Sequence, residues 1–433
     1  MIAQPASPQI PDRQLSIADF GAKPDGISLC SDAFALAIDS LAKQGGGRVV
    51  VPEGVWLTGP IELKSHIDLH LADNAMIVFS PDKSLYDIPG ANRGKALISA
   101  KKATDIAVTG HGTIDGGGKY WRPVKRSKVS DVEWKAFNDM GGTLTDEGKL
   151  WFPFNLTHFA PLTDTPQKEE GKRADLFRVT ACQRIQLSGV TFQNSPRFHV
   201  HPCQSSDVII DGITVRCPWN AQNGDGIDLS NCKRVLLVNS TVDVGDDAIC
   251  MKSGIGEKGA ADGPVSDVLV SRCTVYHGHG GFVLGSDCAG GMQRIVVSHC
   301  TFSGTDTGLR FKSAVGRGGK TSKIFISDVV MNDIKDQAVV FSCAYEDRKY
   351  SVSSEQAGKV KTVAPFSPEF ADIHISHVVC REAATAVFAE GMDDWDAVHD
   401  VSLSDCSFFF TKQDKAISDN CHLTFNNVSF KTF

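Results

Sequence analysis

The chain is predicted to be all-β, a right-handed parallel β-helix with a short N-terminal capping helix and inserted loops. Two observations carry this. A nine-residue motif recurs along the chain: "RIQLSGVTF" from 184, "DVIIDGITV" from 207, "RVLLVNSTV" from 234, "DVLVSRCTV" from 267, "RIVVSHCTF" from 294, "KIFISDVVM" from 323, "DIHISHVVC" from 372 and "DVSLSDCSF" from 400, with an earlier copy, "DIAVTGHGTI", from 105. Most successive starts lie about 22 to 33 residues apart, a period that marks stacked repeat units, none of which buries its apolar face alone. The second observation is 40 glycines set between short Val/Ile-rich runs, the pattern of brief strands separated by turns. Leucine-rich repeats share the length but need a leucine/asparagine consensus that is missing.

The elements follow in order. Residues 1–14 are expected to be a disordered or processed segment, and residues 15–433 one catalytic β-helix domain. Ser31 or Asp32 can cap a helix whose Phe34, Ile38 and Leu41 share a face, and "GGG" at 45–47 ends it. The stretches 118–175 and 343–370 break the period and read as loops inserted between coils, where function often sits.

Composition narrows the function. A formal charge of -7 argues against a nucleic-acid binder, which needs a basic face, and no apolar run approaches a membrane span of roughly 18 residues. The start "MIAQPASPQIPDRQ" lacks the regions of a secretory signal. Thirteen cysteines cannot all pair within the chain. Cys273, Cys300 and Cys406 fall at matching places in their repeats and read as small buried residues.

Stacking the repeats puts equivalent positions about 4.8 Å apart. The expected inward ladder is Phe198, Ile227, Ile249, Phe282 and Leu309, with Val200, Leu229, Met251, Leu284 and Phe311 two residues on. Alternation then turns His199, His201, Asp228, Lys252, Arg310 and Lys312 outward, Lys252 as a surface residue. Just before the ladder stand Asp225, the pair Asp246 and Asp247, and His279. Asp225 and Arg310 lie three coils, or roughly 14 Å, apart. Adjacent carboxylates repel, so one can hold a proton while another stays ionised, which is the acid and base that glycoside cleavage needs. Arg310 and Lys312 suit a carboxylate on the substrate. Each feature also has a structural reading: "DG" and "GDD" are common turns, an acidic trio can hold calcium, His279 can be a turn residue, and His199 and His201 can be ligand contacts or not.

Four motifs in order, "NGDG" at 223–226, "GDD" at 245–247, "GHG" at 278–280 and "RFK" at 310–312, resemble those of family 28 glycoside hydrolases, the polygalacturonases. The resemblance extends from "DFGAKPDG" to about residue 345. It implies a parallel β-helix that hydrolyses pectin with inversion, without metal or cofactor. It further implies Asp246 as general acid, Asp225 and Asp247 as holders of the water, His279 as support for the acid, Arg310 and Lys312 as the grip on the sugar carboxylate, and Tyr345 as a substrate contact; His199 and His201 are expected as substrate contacts from their place on the outward row alone. Gly224 and Ala248 stand where the family often has threonine and cysteine, and Phe311 where it has isoleucine. "GDDAICMKSG", "GHGGFVLGS" and "GTDTGLRFKS" look closest to exo-acting bacterial members. The expected partner is a pectic poly- or oligosaccharide, the expected state a monomer, and the expected place the periplasm or the cell exterior. The alternatives are a rhamnogalacturonan galacturonohydrolase, a calcium-dependent pectate lyase, and a non-catalytic carbohydrate-binding β-helix.

Overall fold

A computed structural model describes residues 2–156, 160–345, 366–393 and 395–433. Its main body is a parallel sheet system wound into coils, each coil contributing short strands to three stacked faces. One face carries the repeated motif: Gln183–Ser188 pairs with Ser206–Asp211, that strand with Lys233–Val238, and so on through Val265–Ser271 and Met292–Ser303. A second stacks Thr191–Gln193, Thr214–Arg216 and Thr241–Asp243. The third holds Val200–Cys203, Ile227–Ser230, Ile249–Lys252, Gly280–Gly285, Thr307–Lys312 and Ile334–Ser342.

Register on this third face is in step for Ile227, Ile249, Phe282 and Leu309, and for Leu229, Met251, Leu284 and Phe311. All eight are buried. The first rung differs from the expectation: Val200, not Phe198, stands opposite Ile227. The slip is two residues, so it preserves which side faces out, and alternation alone could not detect it. Further on, Phe311 stacks on Phe341 with ring centroids 4.4 Å apart and meets Phe370 edge-on at 6.0 Å, so phenylalanine fills this stretch of the interior.

The first residue of the repeated motif has a structural task. Arg184, Asp207, Arg234, Asp267 and Arg294 all adopt positive φ, between 53° and 58°, at the corner where the chain enters the strand. Acid and base alternate from coil to coil, so Arg184 forks onto Asp105, Arg234 onto Asp207 and Arg294 onto Asp267, with contacts of 2.6–2.8 Å. Two parallel N–H···O bonds per pair give that corner geometric definition. The chain before the first strand, Gln14–Ser16, lies across the same corners: Gln9 N donates to Asp105 and Ala6 N to Asp207.

The capping helix is Ser31–Lys43, with Phe34, Ile38 and Leu41 buried. Its N-cap is Cys30 and no side chain caps it, because the Ser31 hydroxyl instead accepts from Gly59 N at 2.7 Å. The 118–175 stretch leaves the coil as expected. It forms a three-stranded antiparallel sheet of Val124–Lys125, Leu150–Phe152 and Thr143–Thr145 and the helix Asp131–Asp139. Val124, Val129 and Trp151 give it a small core of its own, packed by Trp134, Phe137 and Leu156. Buried arginines pin both its ends beside the third face: Arg122 donates to Ser195 O, and Arg173 to Gln222 O and the Asn223 side chain. Most of the second insertion, 346–365, lies outside the described residues. All thirteen cysteines are unpaired thiols, and Cys273, Cys300 and Cys406 are buried.

Candidate active site

The acidic turns meet because their glycines let coils approach. A Cβ on Gly226 would come within 2.4 Å of Ala248 O, and one on Gly245 within 2.8 Å of Trp219 O. With hydrogen in those places, Gly226 N reaches Asp247 O and His279 N reaches Asp246 O, both at 2.9 Å. Thr307 closes the next rung by donating through N and Oγ1 to His279 O.

The side chains sort into one histidine–carboxylate pair and two cation–carboxylate groups. His279 Nδ1 lies 3.0 Å from Asp246 Oδ1. Asp247 is held by Lys312 Nζ at 2.7 Å and Arg310 Nη1 at 3.3 Å. Asp225 and Asp228 share Lys252 Nζ, at 3.3 and 2.5 Å. Arg310 and Lys312 also stand over the Tyr345 ring, 5.7 and 4.8 Å from its centroid. Together with His279, these three line a cleft of about 430 Å³ that continues past Asp306, Gln337 and Phe388. Arg310 and Lys312 reach back over two rungs to Asp247, Lys312 past Gly285 directly opposite it and Arg310 past Val283 and Gly280.

The carboxylates are therefore not a bare repelling pair, as adjacency alone suggested. Burial, with Asp228 and Asp246 nearby, raises Asp225 well above the usual carboxylate range. Burial works the same way on Asp246 and Asp247, but there it is outweighed: the hydrogen bond and charge of His279 lower Asp246, and Lys312 and Arg310 lower Asp247. Asp225 Oδ1 and Asp228 Oδ2 are buried without a hydrogen-bond partner among the described residues. Asp246, Asp247 and His279 offer ligand atoms within 4.8 Å of one another, yet the donors already face cations, a poor setting for a divalent ion.

A family model described as glycosyl hydrolases family 28 matches residues 135–366, more than half of the 433 residues. The chain belongs to glycosyl hydrolase family 28. It is 30% identical over 74% of its length to a probable polygalacturonase of Vitis vinifera, of which it spans 61%. It is 26% identical over 96% of its length to an exo-poly-alpha-D-galacturonosidase of Dickeya chrysanthemi, of which it spans 70%. The structure of a hyperthermoactive exopolygalacturonase from Thermotoga maritima superposes with a TM-score of 0.79 at 28% identity, covering 99% of this chain and 94% of the other.

Within this family 28 site the structure brings together Asp225, Asp246, Asp247, His279, Arg310, Lys312 and Tyr345. It corrects three expectations. His199 is buried, with Nδ1 on Asp225 O at 2.8 Å and Nε2 accepting from Ser195 N at 3.2 Å; burial lowers it to about 4, so it is a neutral prop for the Asp225 backbone. His201 is tied to Asp175 at 2.8 Å and Ser230 at 2.9 Å, so it too is occupied by the protein. Lys252, expected on the surface, turns into the acids and its side chain is only 15% exposed. Two participants were missed. Asp228 was placed on the outward row, but nothing in a row shows that neighbours roof it over. Lys128 lies in the first insertion, 2.9 Å from His279 Nε2, and no repeat position points to it.

Proposed function

We propose that this chain hydrolyses the α-1,4-galacturonosidic bonds of pectic polygalacturonan and its oligosaccharides, from a chain end, by a single displacement that inverts the anomeric carbon. The observation that carries the reading is one cleft lined by His279, Arg310, Lys312 and Tyr345, with the Asp246 carboxylate 3.0 Å from His279 Nδ1. In the first sugar past the scissile bond, the uronate carboxylate takes the Arg310 fork and the Lys312 ammonium over the Tyr345 ring. Asp246 gives its proton to the glycosidic oxygen as the C–O bond breaks. Water held by Asp225 and Asp247 attacks the opposite face, and its proton passes to that carboxylate couple. Lys252 serves Asp225 here by opposing the rise that burial and the neighbouring acids impose on it.

End-wise action draws support from the first insertion, which reaches the site through Lys128, and from the exo-acting relatives named above. We place the protein, as a monomer, in the periplasm or outside the cell, where the polymer is found. Among the described residues no helix is long and apolar enough to cross a membrane.

The deciding experiment is time-resolved product identification on defined oligogalacturonides. Saturated monogalacturonate or digalacturonate from the earliest time points is the expected result. Unsaturated, ultraviolet-absorbing ends lost on chelation would replace hydrolysis by elimination. Release only from a rhamnose-containing backbone would overturn the substrate.

A further inference from the structure

We propose that Lys128, carried to the site by the first insertion, is a positioning residue that holds His279 as its Nδ1–H tautomer and so leaves the transferable proton on Asp246. This rests on the reading of Asp246 as the acid. An ammonium group has three donors and no lone pair, so a 2.9 Å contact between Lys128 Nζ and His279 Nε2 is a hydrogen bond only when Nε2 is unprotonated. The ring hydrogen then sits on Nδ1, which faces Asp246 Oδ1 at 3.0 Å. With Nε2 protonated, two N–H groups would be pressed together.

The consequence falls on the acid. An imidazolium beside Asp246 would add its charge to the larger lowering that the His279 hydrogen bond already exerts. A neutral imidazole keeps that hydrogen bond but removes the positive charge, so burial, which raises Asp246, is opposed less and the carboxyl keeps a proton more readily than it would beside an imidazolium. Among the described residues, the other ion-pair partner of Nε2 is Asp306, whose Oδ2 stands 3.9 Å away. That is beyond hydrogen-bond reach, and Asp306 is engaged by Lys335 at 3.3 Å.

Lys128 is built to stay there. It ends the short helical turn Arg126–Lys128, between the strand Val124–Lys125 and Ser130, which caps the helix Asp131–Asp139 in a reciprocal box with Glu133. Val124 and Val129 on either side are anchored in the insertion's core. The His279 backbone is clamped to the coils before and after it, so neither partner of the contact is free to drift.

The test uses the full chain with 15N-labelled histidine. At neutral pH, NMR of the wild type is expected to show His279 with a protonated Nδ1 and a bare Nε2. Lys128→Met should let Nε2 gain a proton at the same pH and lower kcat about 30-fold, part of the roughly 100- to 10,000-fold that positioned acid–base groups supply, with KM little changed. Lys128→Arg, which also only donates, should recover part of kcat. A protonated Nε2 in the wild type, or a Lys128→Met protein with unaltered nitrogen shifts and kcat, would overturn the proposal. Should the wild type prove inert on galacturonides, the reading of the reaction fails while the nitrogen shifts still decide the tautomer. Thermal melting of each variant separates a lost contact from a lost fold.

Discussion

Lys252 shows how much one side chain decides in this site. Its ammonium lies between Asp225 and Asp228, two buried acids for which it is the one ion-pair partner among the described residues. Lys252→Met is expected to destabilise the fold by about 3–5 kcal/mol, the usual penalty for stranding a buried charge, and to abolish turnover even where the fold survives. Urea unfolding together with kcat on a trigalacturonide checks both; unchanged stability would mean the acids are neutral already. For Asp246→Asn, which keeps size and hydrogen bonding but cannot deliver a proton, turnover should fall at least about 100-fold while a substrate analogue still binds in calorimetry. His201 offers a pH-dependent test away from the chemistry. Burial opposes its charge, but Cys203 and the Asp175 carboxylate prevail and raise it to about 9 from 6.5. A histidine with a raised folded value contributes stability in full below pH 6.5 and loses it as pH climbs to about 9, a span worth roughly 3 kcal/mol. Denaturant midpoints for wild type and His201→Gln should converge across that window; parallel lines would remove the ion pair from consideration.

At the scale of elements, the coil stack and the first insertion have separate cores, and this predicts separable failures. Phe311→Ala opens the interior where it stacks on Phe341 and meets Phe370, so a loss of about 3–5 kcal/mol should appear in the melting of the whole coil stack. Trp151→Ala strikes only the insertion's cluster. Hydrogen exchange should rise over 124–156 with the coils still protected, while kcat drops because Lys128 is no longer held against His279. If exchange instead rose along the coils, the insertion would be integral to the stack. The alternating Asp and Arg at the corners belong to this scale as well. They were visible as the first letters of the repeats, but a string of letters does not say that they adopt positive φ or grip one another in pairs.

Across the whole molecule, the repeat period, the inward ladder and the order of the four motifs were all legible in the sequence, because a coil of fixed height makes residues in step along the chain neighbours in space. That one geometric rule was enough to gather Asp225, Asp246, Asp247, His279, Arg310 and Lys312. It was not enough to fix the first rung, since a slip of two residues leaves alternation intact. Nor could it tell which outward positions are roofed over, so Lys252, Asp228, His199 and His201 were misjudged. Only the folded structure gave each acid its partner and brought Lys128 from the insertion to His279. The reason is physical: strand spacing places backbones, whereas charge partners and burial depend on how far long side chains lean and on what loops without a period lay across them.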